Sequence, residues 1–316
     1  EYERAPWEAW GLEKSHWPGA LKRVSTILKQ SGLSFRELLD VRQTGPDSLG
    51  WPSITPAGEC HPDRMEWGAP DQDCAEETLA WIHTFTHLWR KTGWTMRDLN
   101  RVLRAVPRNG PELSSDKDLC ALALMARLRT ELNKPILQVA AMLGAIELTP
   151  WVDHLTEGEP ASASLYERVF QCTALRPSAS FGSFVLDSQR TELRYLRSAE
   201  PPDPSLKVQK LSDLAAFLAA ALGIAALEVE QLITFLSAHL TGPNTNDLSV
   251  FADELKLANL ATLAGAASCC RSLRVGANDF IRWTRHLGNP YKRASLIDRA
   301  TDLLAFVDGI SFARRY

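Results

Sequence analysis

The sequence predicts an all-α protein, built as an irregular array of αα-hairpins with Pro-rich loop insertions. Three observations lead to this fold class. Apolar residues recur along most of the chain at the i, i+3, i+4, i+7 spacing of a helix that packs on one face. Five helix starts share one local pattern of turn, cap and apolar residues. Sustained strand alternation is missing, and Phe181 to Leu196 is the one stretch that resembles it.

Length and composition fit a globular helical protein. At roughly 100 to 200 residues per domain, 316 residues correspond to two domains or to one long helical array. Hydrophobic residues make up 45% of the chain and charged residues 23%, which excludes a wholly disordered or fibrous protein. The formal charge is -3 without a long run of either sign, which argues against a dedicated nucleic-acid-binding protein. We therefore interpret residues 1–316 as a single α-helical region.

The five helix starts repeat one order of residues. A turn residue ends one helix, an N-cap candidate comes two positions later, and an acidic residue or Gln stands three positions beyond the cap. An apolar residue follows directly. The segments are GLSFREL from Gly32, GWTMRDL from Gly93, NKPILQV from Asn133, GIAALEV from Gly223 and RVGANDF from Arg274. Each segment predicts an αα-hairpin with a longer first helix and a shorter second helix.

This order is that of a capping box, in which the side chain at the third helical position reaches back to a free amide at the cap. Ser34 with Glu37 is the full form, and Thr95 with Asp98 is a shorter version. Ala225 offers no side-chain oxygen, so its cap should be weaker by about 1 kcal/mol. The residues at the third helical position in the other three hairpins are Gln138, Glu228 and Asp279.

Apolar residues flank the predicted caps. Leu33 precedes one cap and Leu38 follows it, and Trp94 and Leu99 stand in the same places in the second hairpin. Such pairs form a hydrophobic staple, which fixes the angle at which the chain enters a helix. Together with the caps they are the residues that we expect to hold the hairpins.

The hairpins are unevenly spaced. The turn residues at 32, 93, 133, 223 and 274 are 61, 40, 90 and 51 residues apart, which excludes an even solenoid. Two inserts, residues 44–74 and 144–210, cause most of the irregularity and are rich in Pro. We predict ordered, irregular loops, because both inserts contain apolar anchors: Trp51, Trp67, Tyr166, Phe170 and Phe184.

The strongest metal-ligand candidates are His83 and His87, at i and i+4 of a predicted helix. Cys60, His61 and Cys74 stand upstream and would complete a zinc site in principle. The segment reads HTFTH, however, and lacks the glutamate of an HExxH motif, and no CxxC pair is present. We predict no metal site and reduced core thiols, with Cys120 and Cys269 in apolar helical stretches.

Motifs for catalysis or nucleotide binding are also missing. The sequence has no G-x-S-x-G elbow, no Walker A loop and no GxGxxG after a predicted strand, so we predict neither an enzyme nor a cofactor. Arg97, Arg101 and Arg104 lie on one side of a predicted helix and would suit a DNA-recognition helix. Because five such units occur in a chain of net negative charge, packing explains the pattern better, and we predict no nucleic-acid partner.

Seven segments carry a resemblance to a known family. The longest is HTFTHLWRKTGWTMRDLNRVL from His83. The others are PWEAWGL from Pro6, SGLSFRELLDV from Ser31, ECHPDRMEW from Glu59, SLYERVF from Ser164, LAAALGIAALEVEQL from Leu218 and NDLSVFADELKLANL from Asn246. Taken in the order in which they occur along the chain, the seven segments resemble the A component (TcA) of bacterial insecticidal toxin complexes and the related virulence plasmid A proteins. The resemblance spans nearly the whole chain.

The resemblance implies that the chain is a segment of the α-helical shell of a much larger, secreted or cell-surface-associated bacterial toxin subunit. Proteins of that family form homopentamers with a translocation channel, which opens in response to pH and delivers an enzyme carried by TcB/TcC-type cocoon partners. Receptor binding and membrane entry would belong to other parts of the parent chain. The segment itself would be a non-catalytic structural element.

Two other functions remain open from the residues alone. The second hypothesis is a stand-alone helical module that binds a protein or glycan through its two inserts, with Trp51 and Trp67 as anchors. A zinc-dependent hydrolase, built on the His and Cys residues above, is the third hypothesis.

Overall fold

A computed structural model describes residues 8, 10–15, 17–45, 54–56, 65–67, 76–105, 116–154, 161–194, 209–239, 251–293 and 295–315. Of the described residues, 68% are helical and 3% lie in strands, which confirms the all-α prediction. The described α-helices are α1 (Trp17–Ala20), α2 (Val24–Ser31), α3 (Phe35–Val41), α4 (Glu76–Thr92), α5 (Met96–Ala105), α6 (Asp116–Leu132), α7 (Ile136–Met142), α8 (Leu165–Phe170), α9 (Ala215–Leu222), α10 (Ala226–His239), α11 (Leu257–Leu273), α12 (Ala277–Leu287) and α13 (Leu296–Arg315).

Contacts divide the chain into two compact units. The first unit comprises Glu1–Asp118 and Trp151–Ser162, and the second comprises Leu119–Pro150 and Ala163–Tyr316. The sequence pattern does not indicate this division, because the same hairpin occurs on both sides of it. That the whole chain is one region of a larger subunit stays a prediction.

All five predicted turns join two consecutive α-helices: α2 with α3, α4 with α5, α6 with α7, α9 with α10, and α11 with α12. The expected shorter second helix is wrong for the fourth pair, in which α9 has 8 residues and α10 has 14. Residues Ser212–Leu214 wind as a 3-10 helix, so α9 begins only at Ala215. Asp253 fixes this 3-10 helix by accepting hydrogen bonds from the amide (2.9 Å) and hydroxyl (2.6 Å) of Ser212.

The first unit contains a strand pair that the sequence analysis did not predict. Strand β1 (Ile54–Pro56) pairs antiparallel with β2 (Met65–Trp67), so that Thr55 lies opposite Glu66. A bridge between Arg23 and Glu66 attaches β2 to the start of α2. Strands of three residues are too short to show an alternation in the sequence, which explains the miss.

Aromatic side chains form much of the core of the first unit. Trp81 and Phe85 stack with ring centroids 5.8 Å apart, and the Trp81 indole N–H donates to Thr44 Oγ1 at 2.8 Å. Trp10 and Trp17 are also buried, with 3% and 4% of their surface exposed. A buried indole N–H needs a hydrogen-bond acceptor, and Thr44 provides one, so the indole nitrogen of Trp81 is not left unpaired.

In the second unit the aromatic anchors of the 144–210 insert form a continuous stack. Tyr166 contacts Phe170, Phe170 contacts Phe184, and Phe184 contacts Phe217 of α9, with ring centroids 5.0, 5.8 and 4.2 Å apart. The Tyr166 hydroxyl donates to Phe184 O at 2.8 Å. The strand-like stretch from Phe181 is instead a 3-10 helix, Ala179–Phe184, followed by a single bridge between Leu186 and Leu193.

Helices α7 and α11 approach each other closely in the second unit. A Cβ on Gly265 of α11 would lie 2.8 Å from Ala141 O and 3.0 Å from Met142 O, which is closer than real side chains approach. The Tyr291 hydroxyl donates to Met142 O at 2.8 Å and lies 3.4 Å from Cys269 Sγ. Tyr291 thus ties the 3-10 helix Pro290–Lys292 to the end of α7.

Cys120, Cys172, Cys269 and Cys270 are free thiols. Cys269 and Cys270 are buried, and burial raises the pKa of Cys269 to about 12. Cys120 is exposed, so the prediction of a core thiol is wrong there. It stands near the start of α6, beside the exposed Leu119, in a turn whose apolar residues are not all buried. Cys60 and Cys74 lie outside the described residues.

By length and composition, no single helix among the described residues could cross a membrane. The segments Ser212–Leu222 and Ala226–Ala238 meet that criterion only as a pair, with a bend of 119° between them.

We expect Gly265→Ala to destabilise the second unit by about 1–3 kcal/mol, because the added methyl group forces α7 and α11 apart. The loss should occur although Ala is the better helix former. Gly182→Ala is the matched control, since a Cβ there meets nothing within 4 Å. Urea denaturation followed by circular dichroism measures both changes, and equal stabilities would contradict the close packing.

Candidate functional site

The five turn residues share a left-handed backbone, and they define the candidate site as a set of capped hairpin turns. Gly32, Gly93 and Gly223 have φ values of 64°, 64° and 63°, and the two residues with side chains, Asn133 and Arg274, have 49° and 53°. This conformation stops a helix and turns the chain back. Asn tolerates it well, whereas for Arg it costs roughly 1–2 kcal/mol.

The left-handed residue lets the chain bond back to the helix it has just left. The amides of Gly32 and Gly93 donate to Leu28 O and Trp89 O at 2.9 and 3.1 Å. In the other three turns the amide one residue later also bonds to the helix: Lys134 N to Arg129 O (3.3 Å), Ile224 N to Ala219 O (3.3 Å) and Val275 N to Cys270 O (3.0 Å). These are the bonds that satisfy carbonyls at a helix end.

Side chains cap the second helices of the first two hairpins. The Ser34 amide donates to Glu37 Oε2 at 2.7 Å, and the Glu37 amide donates to Ser34 Oγ at 3.2 Å, so both halves of the capping box are present. In the second hairpin the Asp98 amide donates to Thr95 Oγ1 at 3.0 Å. The four staple residues are all buried: Leu33, Leu38, Trp94 and Leu99.

Glu228 caps two helices with one carboxylate. Its Oε2 accepts from the amide of Ala225, the cap of its own helix α10, at 3.1 Å. Its Oε1 accepts from the amide of Ala277, the first residue of α12, at 3.2 Å. The side chain predicted to cap one hairpin therefore also joins it to the next.

Two predicted caps are wrong. The N-cap residue of α7 is Pro135, which has no amide hydrogen, so Gln138 has nothing to reach back to and is exposed. No hydrogen bond joins Asp279 to the amide of Gly276, the N-cap residue of α12, and the amide of Ala277, one residue later, bonds to Glu228. Asp279 is exposed in the first helical turn, where its charge interacts favourably with the helix dipole.

An arginine from the following hairpin packs on the turn glycine in both units. Arg90 Nη2 donates to Gly32 O at 2.9 Å and would lie 3.2 Å from a Cβ on Gly32. Arg271 Nη1 lies at the same 3.2 Å from a Cβ position on Gly223. Both arginines stand three residues before their own turn residue, at Gly93 and Arg274, which is a signal that the sequence analysis missed.

A second polar group joins residues 151–154 to the end of α3 within the first unit. The buried carboxylate of Asp40 accepts from the His154 amide at 3.1 Å and lies 2.7 Å from His154 Nδ1. Gln43 exchanges two hydrogen bonds with the backbone of Val152, at 2.7 and 3.0 Å. An Asp–His pair can support a nucleophile, but no hydrogen bond links the other ring nitrogen of His154 to a described residue. These hydrogen bonds attach residues 151–154 to α3, and the residues that make them are too far apart in sequence for pattern analysis to pair them.

The arginines on the candidate DNA-recognition helix contact the protein. Arg97 Nη1 donates to Ser162 Oγ at 2.7 Å, and Arg104 Nε donates to Gly45 O at 3.0 Å. Arg101 Nε is buried. Phosphate binding would compete with these contacts, which favours the packing interpretation of the three side chains.

The rings of His83 and His87 lie 4.6 Å apart between centroids, and Trp10 lies 6.0 Å from His83. Among the described residues, no group of three or more His, Cys, Asp or Glu side chains could hold a metal ion. The upstream candidates Cys60, His61 and Cys74 lie outside the described residues, as does Trp51, and only the backbone of Trp67 is described.

We expect Gly32→Ala to destabilise the protein more than Gly93→Ala. Both positions have φ of 64°, so each substitution costs roughly 1–2 kcal/mol in backbone strain. A methyl group at Gly32 also displaces Arg90 and its hydrogen bond, which adds about 0.5–1.5 kcal/mol, whereas a methyl group at Gly93 meets nothing within 4 Å. Denaturation in urea measures the difference. Once Arg90→Ala is introduced into both variants, the two costs should become equal.

Glu228→Ala should lower the free energy of unfolding by about 1–2 kcal/mol, because two helix-terminal amides lose their acceptor. Glu228→Gln should fall between the wild type and Glu228→Ala, since Gln keeps one acceptor oxygen and places an amide donor against the other N–H. Glu230→Ala, an exposed change on the same helix, is the control and should stay within about 0.5 kcal/mol of the wild type. If Glu228→Ala were as mild as this control, the double cap would not contribute to stability.

Comparisons with known proteins assign no family to the chain. No protein-family model matches it, and no curated protein matches it. The functional interpretation therefore depends on the residue pattern and on the geometry of the turns.

Proposed function

We propose that the chain is a non-catalytic structural segment, part of the α-helical shell of a TcA-like toxin subunit. The observation that carries the proposal is that the recurring polar residues of the hairpins hold the helices together. Glu228 joins α10 to α12, and Arg90 joins α4 to the turn at Gly32. Side chains occupied in this way build a stiff scaffold and leave the reactive chemistry to other parts of the protein.

The segments that resemble the toxin family support the proposal by their position. The segments from Ser31, His83 and Leu218 each contain one of the left-handed turns, at Gly32, Gly93 and Gly223. The segment from Ser164 forms α8, which begins with a second full capping box of Ser164 and Glu167. The similarity therefore coincides with residues that the turn geometry requires.

In the proposed role, other copies of the same subunit surround the segment in a homopentamer. TcB/TcC-type cocoon proteins carry the enzyme, and the receptor-binding and membrane-entering parts belong to other regions of the parent chain. The subunit acts outside the cell, as a secreted or surface-associated toxin. The segment contributes the rigid wall against which those parts move.

The experiment is to isolate the protein with its natural flanking sequence and to determine its size, stoichiometry and shape. We expect a very large subunit that light scattering shows to be a pentamer and electron microscopy shows to enclose a central channel. A small monomeric protein would contradict the proposal. Glycan-array or pull-down binding by such a monomer would instead support the stand-alone binding module.

A further inference from the structure

The second unit contains a cavity of about 620 Å³ that the hairpin scaffold does not require. Phe235 of α10 and Thr284 of α12 line it, and both are buried. The loop after α12, the 3-10 helix Pro290–Lys292 and α13 complete the wall. The volume lies within the range of about 300–1,000 Å³ that is usual for sites that bind small molecules.

Positive charge predominates around the cavity. Arg285, Lys292 and Arg293 line it, against the single carboxylate of Asp302. Asp302 already has a partner, because Arg293 Nε donates to its Oδ2 at 3.0 Å. This hydrogen bond raises the pKa of Arg293. Arg285 and Lys292 make no side-chain hydrogen bond or ion pair with the described residues, so two positive charges at the cavity are not neutralised.

An unpaired amide group adds to these charges. Asn289 lines the cavity and is 9% exposed, and its Oδ1 accepts from the Tyr291 amide at 3.0 Å. This bond fixes the orientation of the side chain, with the result that Nδ2 is buried without an acceptor among the described residues. It is one of five buried side-chain nitrogen and oxygen atoms without a hydrogen-bond partner among the described residues, and the only one of the five whose residue lines the cavity. A ligand that brings an acceptor oxygen would pair it.

We propose that this cavity binds a small organic phosphate. A phosphate group carries nearly two negative charges and several acceptor oxygens, which match two unneutralised cations and one unpaired amide donor. Phe235 offers an apolar contact for the organic part of the ligand through the 4% of its surface that is exposed. The site is independent of the proposed scaffold role, since it uses none of the residues that cap the five hairpins or form their turns.

The probe is phenyl phosphate, which carries the charged group and an apolar ring, and isothermal titration calorimetry measures its binding to the full chain. We expect saturable binding that weakens by about tenfold or more in the double variant Arg285→Gln/Lys292→Gln. The matched control is Arg282→Gln/Lys210→Gln, which removes the same charge from exposed residues that do not line the cavity. The affinity of the control should stay within about twofold of the wild type.

A third variant tests the amide. Asn289→Asp keeps the oxygen that accepts from Tyr291 but replaces the donor with a negatively charged acceptor, so it should weaken phenyl phosphate binding while the circular dichroism spectrum stays that of the wild type. Phenol tests the ring without the charge and should not bind. Inorganic phosphate should bind more weakly than phenyl phosphate.

Three results would overturn the proposal. The first is no saturable binding of phenyl phosphate by the wild type. The second is an equal loss of affinity in the cavity variant and in the charge-matched control, which would indicate nonspecific attraction. The third is binding only to vesicles that contain phosphatidic acid, which would indicate a lipid surface rather than a small phosphate.

Discussion

The left-handed turn residue is the constraint on which the hairpins depend. The first helix of each hairpin ends at a residue with positive φ, and the chain can then bond back to the carbonyls that the helix end leaves exposed. The next cap and its staple follow at fixed distances from that residue. Gly32, Gly93 and Gly223 adopt this conformation without a side-chain clash, whereas Arg274 has to be held there by its surroundings. The bond from the Val275 amide to Cys270 O is one contact that holds it.

Joining one hairpin to another requires contacts that the local pattern does not contain. Glu228 and Arg90 show two solutions, since each belongs to one hairpin by sequence and bonds to a second one. Both act on groups that a helix end leaves unsatisfied, an amide at the start of α12 and a carbonyl at the turn of Gly32. Helix ends are therefore suitable sites for hydrogen bonds between neighbouring hairpins, because they offer unpaired backbone groups at the surface.

The sequence predicts well what depends on neighbours three or four residues apart. It locates all five turns, the box of Ser34 and Glu37, and the four buried staple residues. It fails where a distant residue decides. Pro135 alone would have excluded Gln138 as a capping residue, but the acceptor for the Ala277 amide comes from the distant Glu228, and the fixed position of His154 depends on Asp40. The first helix of the fourth hairpin is shorter than predicted for the same reason, because the distant Asp253 stabilises the 3-10 helix before α9.

The hairpins and the cavity differ in how completely their polar groups are satisfied. At the turns, the charged side chains of Glu37, Arg90 and Glu228 bind backbone groups of the chain. Around the cavity, Arg285, Lys292 and the Nδ2 atom of Asn289 stand together without such partners among the described residues. Unpaired exposed cations alone are common on protein surfaces, but a buried unpaired donor beside them is not. That combination distinguishes the proposed ligand site from the capped turns, where backbone groups of the chain itself bind the same kinds of side chain.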